Sequence, residues 1–411
     1  MKNNSNDYVI RVLDTPLDID ASGWNELLAA QGQDGTLNPF MRHEYLAAMH
    51  TSASATPDTG WTPRFLTLWK QDMLAGACAL YLKSHSYGEY VFDWAWANAY
   101  QQHGLKYYPK ALVAAPFTPV PGPRLLARND AERLLLVEAL KAWCEQEGLS
   151  SLHLLFSSDD DVRACEAAGL MLRNTVQFHW SNPLPSTETG SSLRFRDFDD
   201  FLMSLNQQKR KKIRQERKKV ADAGITFRWS LGRDIGNADW DFFYSCYERT
   251  YYEHGNAPYL TREFFQRMQD TMPENWLLFV AEHTAADGAR QAVATSLVAV
   301  TASGTVAGDP GLTAYGRYWG ALARVDSLHF EACYYQPLQW CIEHGYTSFE
   351  GGAQGEHKMA RALLPVKTTS AHWLAHPAFS DAVERFLERE STGIENYMHH
   401  LERRNPFKAE R

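Results

Sequence analysis

Apolar positions along this chain gather into short runs separated by polar turns, and the same order of runs occurs twice. "WTPRFLTLWKQDMLAGACALYLK", Trp61 to Lys83, is a pair of strand-like runs about a polar joint. "NWLLFVAEHTAADGARQAVATSLVAVTASG", Asn275 to Gly304, is another, and both read as β-hairpins. Before them stand "PFMRHEYLAAM" from Pro39 and "PYLTREFFQRM" from Pro258, whose prolines, aromatics, glutamates and methionines coincide at an offset of 219. After them come the strand-like "YVFDWAW" from Tyr90 and "LTAYGRYWGA" from Leu312. The second half continues with "DSLHFEACYYQPLQWCIEHG", in which Leu328, Ala332, Tyr335 and Gln339 share one helical face and Gly345 closes the helix. Pro337 lies inside that stretch, where a proline kinks or breaks a helix.

Periodicity stops at "NPLPSTETGSS", Asn182 to Ser192. The pattern therefore predicts two tandem α/β (α+β) domains with mixed, largely antiparallel central sheets flanked by helices. Their expected limits are 1–185 and 197–411, joined by a linker over 186–196. The competing reading is a pair of unrelated α+β domains with one chance match.

Composition agrees with two domains. At 411 residues the chain is too long for one ordinary core, and a hydrophobic fraction of 45% with thirteen Trp can fill two. The amino terminus has no basic region followed by an apolar one, and no window nears the roughly 18 apolar residues of a membrane span. A cytoplasmic protein without a transmembrane segment is expected. The six cysteines form no C-x-x-C pair, which predicts reduced core thiols rather than a disulfide framework or a zinc site. His357 has no His or Cys three or four residues on, so no metal is expected.

Charge changes the picture locally. The formal net charge is -8, yet eight of the eleven residues from Lys209 to Lys219 are Lys or Arg. One helix, capped by Asp197 or Asp199 and ending near Gly224, is expected to bury Leu202, Leu205, Ile213 and Val220, with Lys209 and Glu216 at the margins of that stripe. Arg210, Lys211, Arg214, Arg217 and Lys218 then form a basic face, costly unless carboxylates or an anionic ligand neutralise it. A phosphate-bearing substrate or an RNA backbone suits it. A DNA-reading role does not, given an acidic chain with no recognition motif.

The densest chemistry is "FEGGAQGEHKMARALLPVK", Phe349 to Lys367. A bend containing Gly351, Gly352 and Gly355 lets backbone amides approach an anion, and Gln354, Glu356, His357, Lys358 and Arg361 crowd around it. Upstream lie Arg317 on the strand-like run and Glu331, Tyr334 and Tyr335 on the following helix. Transfer to an amine needs a base, donors for an oxyanion and cations for phosphates, and these segments supply all three. Each of Glu331, Tyr334 and Tyr335 taken alone reads more readily as packing or capping.

These motifs, with "QHGLKYYPKALVAAPFTPVPGPRLL", "KRKKIRQERKKVADAGI", "APYLTREFF", "YGRYWGA" and "LHFEACYYQ", resemble the FemAB-like (Fem-type) peptidoglycan biosynthesis or recognition family of the GNAT-like acyltransferases. The resemblance spans nearly the whole chain. It implies tandem GNAT-like domains with a cleft between them, and transfer of an aminoacyl group from tRNA to an amine of a cell-wall precursor. Arg210, Ile213, Arg214 and Gly224 resemble the family's basic stretch, and Gly351, Gly352 and Lys358 its late Gly-Gly and Lys. Two features depart from the pattern: no paired helical arm is visible, and "HKMARALL" replaces the family's Phe-Lys-x-x-Phe.

The roles then expected are Glu331 or His357 as base and Tyr334 or Tyr335 as acid. Lys358, Arg361, Arg210 and Arg214 would bind phosphates, Gln354, Glu356 and Arg317 would bind substrate, and Gly351, Gly352 and Gly355 would cradle the donor. Tyr107, Tyr108, Lys110 and Arg124 would line the acceptor side. No tightly bound cofactor is expected. The donor is either aminoacyl-tRNA or acyl-CoA. For acyl-CoA, "RDIGNA" at Arg233 has the letters of a pyrophosphate loop but precedes the hairpin, while "RYWGAL" at Arg317 is rightly placed but ends in Leu322. The partners expected are an anionic small-molecule acceptor and tRNA. The alternatives are an acetyl-CoA-dependent N-acetyltransferase and a binding protein without turnover; the residues do not fix the oligomeric state.

Overall fold

The structure, a computed structural model, describes residues 8–32, 37–182, 194–285, 287–302, 312–353 and 355–408. Gln354 and most of the expected linker lie outside the described residues. The chain divides into two units, Met1–Val176 with Lys367–Met398, and Gln177–Val366 with His399–Arg411.

The first unit is a mixed sheet of β1 (Tyr8–Leu13), β2 (Trp61–Lys70), β3 (Met73–Lys83), β4 (Lys110–Val113), β6 (Ser151–Ser157) and β13 (Leu364–Leu374), with the start of β7 (Met171–Ser181) beside β13. A short β5 (Leu126–Ala127) adds to β3. β1 to β4 are antiparallel neighbours, whereas β6 is parallel to β4, with Leu112 opposite His153, and antiparallel to β13, with His153 opposite His372. Every residue of β6 is buried, including His153 among Leu152, Leu154, Leu155 and Phe156, as befits an interior strand. α1 (Ala21–Ala29), α2 (His43–Thr51), α3 (Trp94–Gln102), α4 (Asp130–Gln146), α5 (Asp159–Ala167) and the long α12 (Pro377–Glu402) complete the framework. α4, capped by the Asn129 side chain, packs Leu136 and Leu140 against Leu66, Leu80, Leu152 and Leu154.

The second unit repeats the plan. Its sheet runs β8 (Ile225–Leu231), β9 (Trp276–Thr284), β10 (Arg290–Val300), β11 (Thr313–Ala321), β12 (Ser348–Glu350), then the end of β7. All pairs are antiparallel except β11 with β12. Both hairpins open on a fully buried Trp, Trp61 and Trp276, and each is followed by an antiparallel and then a parallel strand. The flanking helices are α6 (Phe198–Ser204), α7 (Gln207–Asp222), α8 (Asn237–Glu253), α9 (Arg262–Thr271), α10 (Leu328–Phe330) and α11 (Gln336–Glu343), with a π-turn over Glu331–Tyr335. Among the described residues no helix is long and apolar enough to cross a membrane.

Four expectations differ from what is found. Residues 367–398 belong with the first unit instead of a continuous second domain, because β13 pairs with β6. "YVFDWAW" is no strand: α3 starts at Trp94, Asp93 turns inward to Lys110, and β4 is the strand that follows the hairpin in the sheet of the first unit. The basic helix is two helices, α6 capped by Asp197 and α7 capped by Asn206, because Leu205 adopts an extended conformation between them. Its buried face is Ile213, Glu216 and Val220, so Glu216 points inward. Pro337 does not break its helix either: the π-turn upstream absorbs the irregularity and places Pro337 in the first turn of α11, where a missing N–H is harmless.

Candidate active site

β11 and β12 run side by side for three residues only, Thr313–Tyr315 against Ser348–Glu350. β12 then turns away through Gly351 and Gly352, while β11 continues against β10, so the two parallel strands part. A bulge sharpens the parting: Leu297 pairs with Tyr318 and Val298 with Gly316, which leaves Arg317 as the extra residue. Gly316 is required by contact, since a Cβ there would lie 2.9 Å from the Phe349 ring.

At this opening lies a cavity of about 120 Å³, walled by Ser296 of β10, Tyr318 and Trp319 of β11, His329 of α10, Cys333 and Tyr334 of the π-turn, and Gly351. Through Arg317, Tyr318 and Trp319 it adjoins a second hollow of about 320 Å³, bounded by Tyr247, Tyr251, His254 and Asn256.

The Gly bend ends in a 3₁₀ helix, Glu356–Arg361, that carries Lys358 inward. Its side chain passes Gly351, and Nζ donates to the Gly352 carbonyl at 2.9 Å. Only 4% of Lys358 is exposed, and burial brings its pKa down to about 8. An ammonium has three donors, and among the described residues Gly352 takes one. His357 Nε2 lies 3.2 Å from the Tyr334 hydroxyl. Partial burial and the charges of Arg361, Lys358 and Lys212 hold His357 below its usual pKa, so it is neutral at pH 7. Burial raises that of Tyr334. The site thus sets a cation and a phenol–imidazole pair around one small cavity, which can steady a developing oxyanion and move a proton.

The sequence matches the FemAB-like family, described as peptidoglycan biosynthesis/recognition, over residues 16–409. This chain belongs to the FemAB-like family. No curated protein matches it. Among solved structures, FemX is similar at 11% identity and TM-score 0.52, covering 91% of this chain and 100% of FemX. The C-terminal domain of a putative lysylphosphatidylglycerol synthetase from Agrobacterium fabrum gives 10%, 0.51, 92% and 97% in the same order. A tandem GNAT protein from the clavulanic acid biosynthesis pathway gives 13%, 0.45, 90% and 99%. The FemAB-like chain has the expected fold class, α/β units with mixed, largely antiparallel sheets flanked by helices, and shares its fold with FemX.

Of the residues expected at the site of this FemAB-like protein, Arg317 and Tyr334 line the cavity, and His357 and Lys358 stand beside it. Tyr335 and Arg361 are instead committed inward to Glu216 of α7. The Tyr335 hydroxyl donates to it, and Arg361, 1% exposed, donates to both its oxygens at 3.0 and 2.9 Å while lying over Phe330. Glu331 accepts from Arg217 and Gln336, tying α7 to the π-turn. Glu356 pairs with Arg404 on the surface. Arg210 contacts Met203, and Arg214 lies 3.7 Å from Asp199, both on the outer side of α7. The Gly351 N–H is used by the Phe178 carbonyl, and Gly352 and Gly355 have φ of +83° and +117°.

Tyr107, Tyr108, Lys110 and Arg124 lie in the first unit. Lys110 is fully buried between Glu89 and Asp93, its charge held by those carboxylates against the cost of burial. Tyr107 donates to Asp93, Tyr108 shares a hydrogen bond with Ser86, and Arg124 donates to the Leu155 and Val120 carbonyls. This network holds loops together; Tyr108 alone of the four is half-exposed.

Two site residues were missed. His329 lines the cavity, its pKa brought to about 4 mainly by burial, and His179 of β7 is brought to about 4 by burial and by Lys358. His329 lies two residues before Glu331 on the same helical stretch, whereas the sequence gives no signal for His179, which arrives from a strand far away in the chain. The Cys333 thiol, pushed up to about 12 by burial, stays protonated and is no nucleophile. "RYWGAL" runs along β11 itself and not in a turn after it, while "RDIGNA" does join a strand to a helix, β8 to α8, but at the edge of the sheet, three strands away from β11.

Proposed function

We propose that the opening between β11 and β12 is the transfer site of an aminoacyltransferase that moves an aminoacyl group from charged tRNA to an amine of an anionic cell-wall precursor, in the cytoplasm. The observation that carries this reading is the buried Lys358 ammonium next to the Tyr334–His357 pair. The acceptor nitrogen attacks the ester carbonyl carbon, a C–N bond forms and the bond to the ribose oxygen breaks. Lys358 donates to the carbonyl oxygen as it gains charge, neutral His357 takes the proton lost by the amine, and Tyr334 returns one to the departing ribose oxygen. The adjoining hollow gives room for a substituent, and the exposed cations of α7 suit a phosphate-rich partner. Among the described residues neither pyrophosphate-loop candidate forms a strand-to-helix turn at this opening, which favours tRNA over acyl-CoA.

The test is transfer of a labelled amino acid from charged tRNA to amine-bearing precursors. Wild type should transfer the label, and Lys358→Met should lower the rate about 10²- to 10³-fold with thermal stability equal to or above that of wild type. Undiminished transfer by Lys358→Met would refute the assignment. One observation favours recognition without turnover: a cavity of about 120 Å³ is small beside ordinary ligand pockets. That reading expects precursor binding with no transfer from any charged tRNA.

A further inference from the structure

In the first unit α3 and α12 lie side by side, and each lines the seam with alanines, Ala95 and Ala99 from one and Ala378 and Ala382 from the other. Side chains that short leave space between helices whose larger residues, among them Trp96 and Phe379, keep them apart. The result is a hollow of about 600 Å³, within the usual range for ligand sites. Apart from the imidazoles of His103 and His376, whose rings stand 5.4 and 5.2 Å from Phe379, its walls are alanine, aliphatic and aromatic.

Its surroundings are unusual for a water-facing surface. Phe92 is 53% exposed, Trp94 38%, Leu105 39% and Phe386 37%. On α12, Arg385 and Arg389 follow the lining residues Ala382 and Phe386 by three positions and so flank the hollow. Glu384 and Glu388 follow them by two and point elsewhere; Asp381 follows Ala378 by three, and Glu390, four after Phe386, is already neutralised by Arg173, which leaves the cations in excess. An extended peptide laid there would leave most of its backbone donors and acceptors unpaired. A hydrocarbon chain has none to satisfy, and the basic flank suits an anionic head.

We propose that this hollow takes one hydrocarbon chain of an anionic lipid at a bilayer surface, with Phe92 and Trp94 in the interfacial layer and Arg385 and Arg389 against the headgroups. The inference is independent of the transfer reaction. The test is sedimentation of the full chain with vesicles of phosphatidylcholine alone or mixed equally with phosphatidylglycerol. Wild type should sediment chiefly with the mixed vesicles. Ala382→Glu, at an exposed helical position where the fold tolerates it, should reduce vesicle affinity about tenfold or more, since it sets a charge against buried hydrocarbon. Its unfolding temperature should not change. Arg385→Glu with Arg389→Glu should erase the preference for phosphatidylglycerol. The proposal is overturned if wild type sediments with neither vesicle, or if Ala382→Glu binds as wild type does. It is equally overturned if the hollow mediates a concentration-dependent dimer that Ala382→Glu abolishes.

Discussion

Lys358 is held in opposite directions by stability and chemistry. Burial lowers its pKa from 10.5 to about 8, so between those values the unfolded chain binds a proton that the folded chain lacks. The fold therefore gains stability as pH rises across that interval. A role as an oxyanion donor needs the ammonium, so kcat/KM should fall as pH rises through about 8. In Lys358→Arg that falling limb should move to much higher pH, because a guanidinium keeps its charge. His357, depressed below 6.5, sets the rising limb at acid pH, and His357→Gln should remove it. A pH–rate profile of the three proteins checks both. Glu216 concerns stability: Glu216→Ala would leave Arg361 buried without its carboxylate, and should cost about 3 kcal/mol by urea unfolding. At this scale the sequence was partly legible. His357 and Lys358 stood out because a polar cluster among glycines has little packing purpose. Arg361 and Tyr335 were misjudged, since nothing local says that their partner lies on a helix more than a hundred residues earlier.

Helix α7 joins two jobs on one rod. Glu216 and Arg217 anchor it to the 3₁₀ helix and the π-turn, while Lys211, Lys212, Arg214, Lys218 and Lys219 face outward. Several outer cations have a nearby carboxylate, but exposed pairs of this kind contribute little. Reversal of Arg210 and Arg214 to Glu should therefore change folding stability by less than about 0.5 kcal/mol. The same change should weaken tRNA binding and flatten its salt dependence, as measured by fluorescence anisotropy. β11 is less forgiving: a Cβ on Gly320 would sit 2.0 Å from the Cys246 carbonyl oxygen, so Gly320→Ala must push α8 off the sheet. A loss of about 3 kcal/mol or more is expected in thermal unfolding, beyond ordinary overpacking because backbone has to move. Hairpins and the basic stretch were legible as elements because alternation and charge are local signals. The break at Leu205 was not, because apolar spacing continued across it.

Across the whole molecule, the doubled plan of hairpin, antiparallel strand and parallel strand could be read from the aligned runs beginning at Pro39 and Pro258. The allocation of β13 could not. Alternating residues reveal a strand but not its neighbour, and His372 meets His153 across 219 residues of sequence. A fragment ending at Val176 would lack β13 and α12 and would expose the fully buried β6 along one border. Such a fragment should show no cooperative thermal transition, whereas adding residues 367–398 through a flexible linker should restore one.

The same arrangement bears on synthesis. As the nascent polypeptide leaves the ribosome, β6, which ends at Ser157, emerges long before the strand that will cover it, and its exposed margin must wait until translation has passed Leu374. The unit begun first cannot close until β13 and α12 have been made, which makes the growing chain a natural client for chaperones that shield unpaired strands.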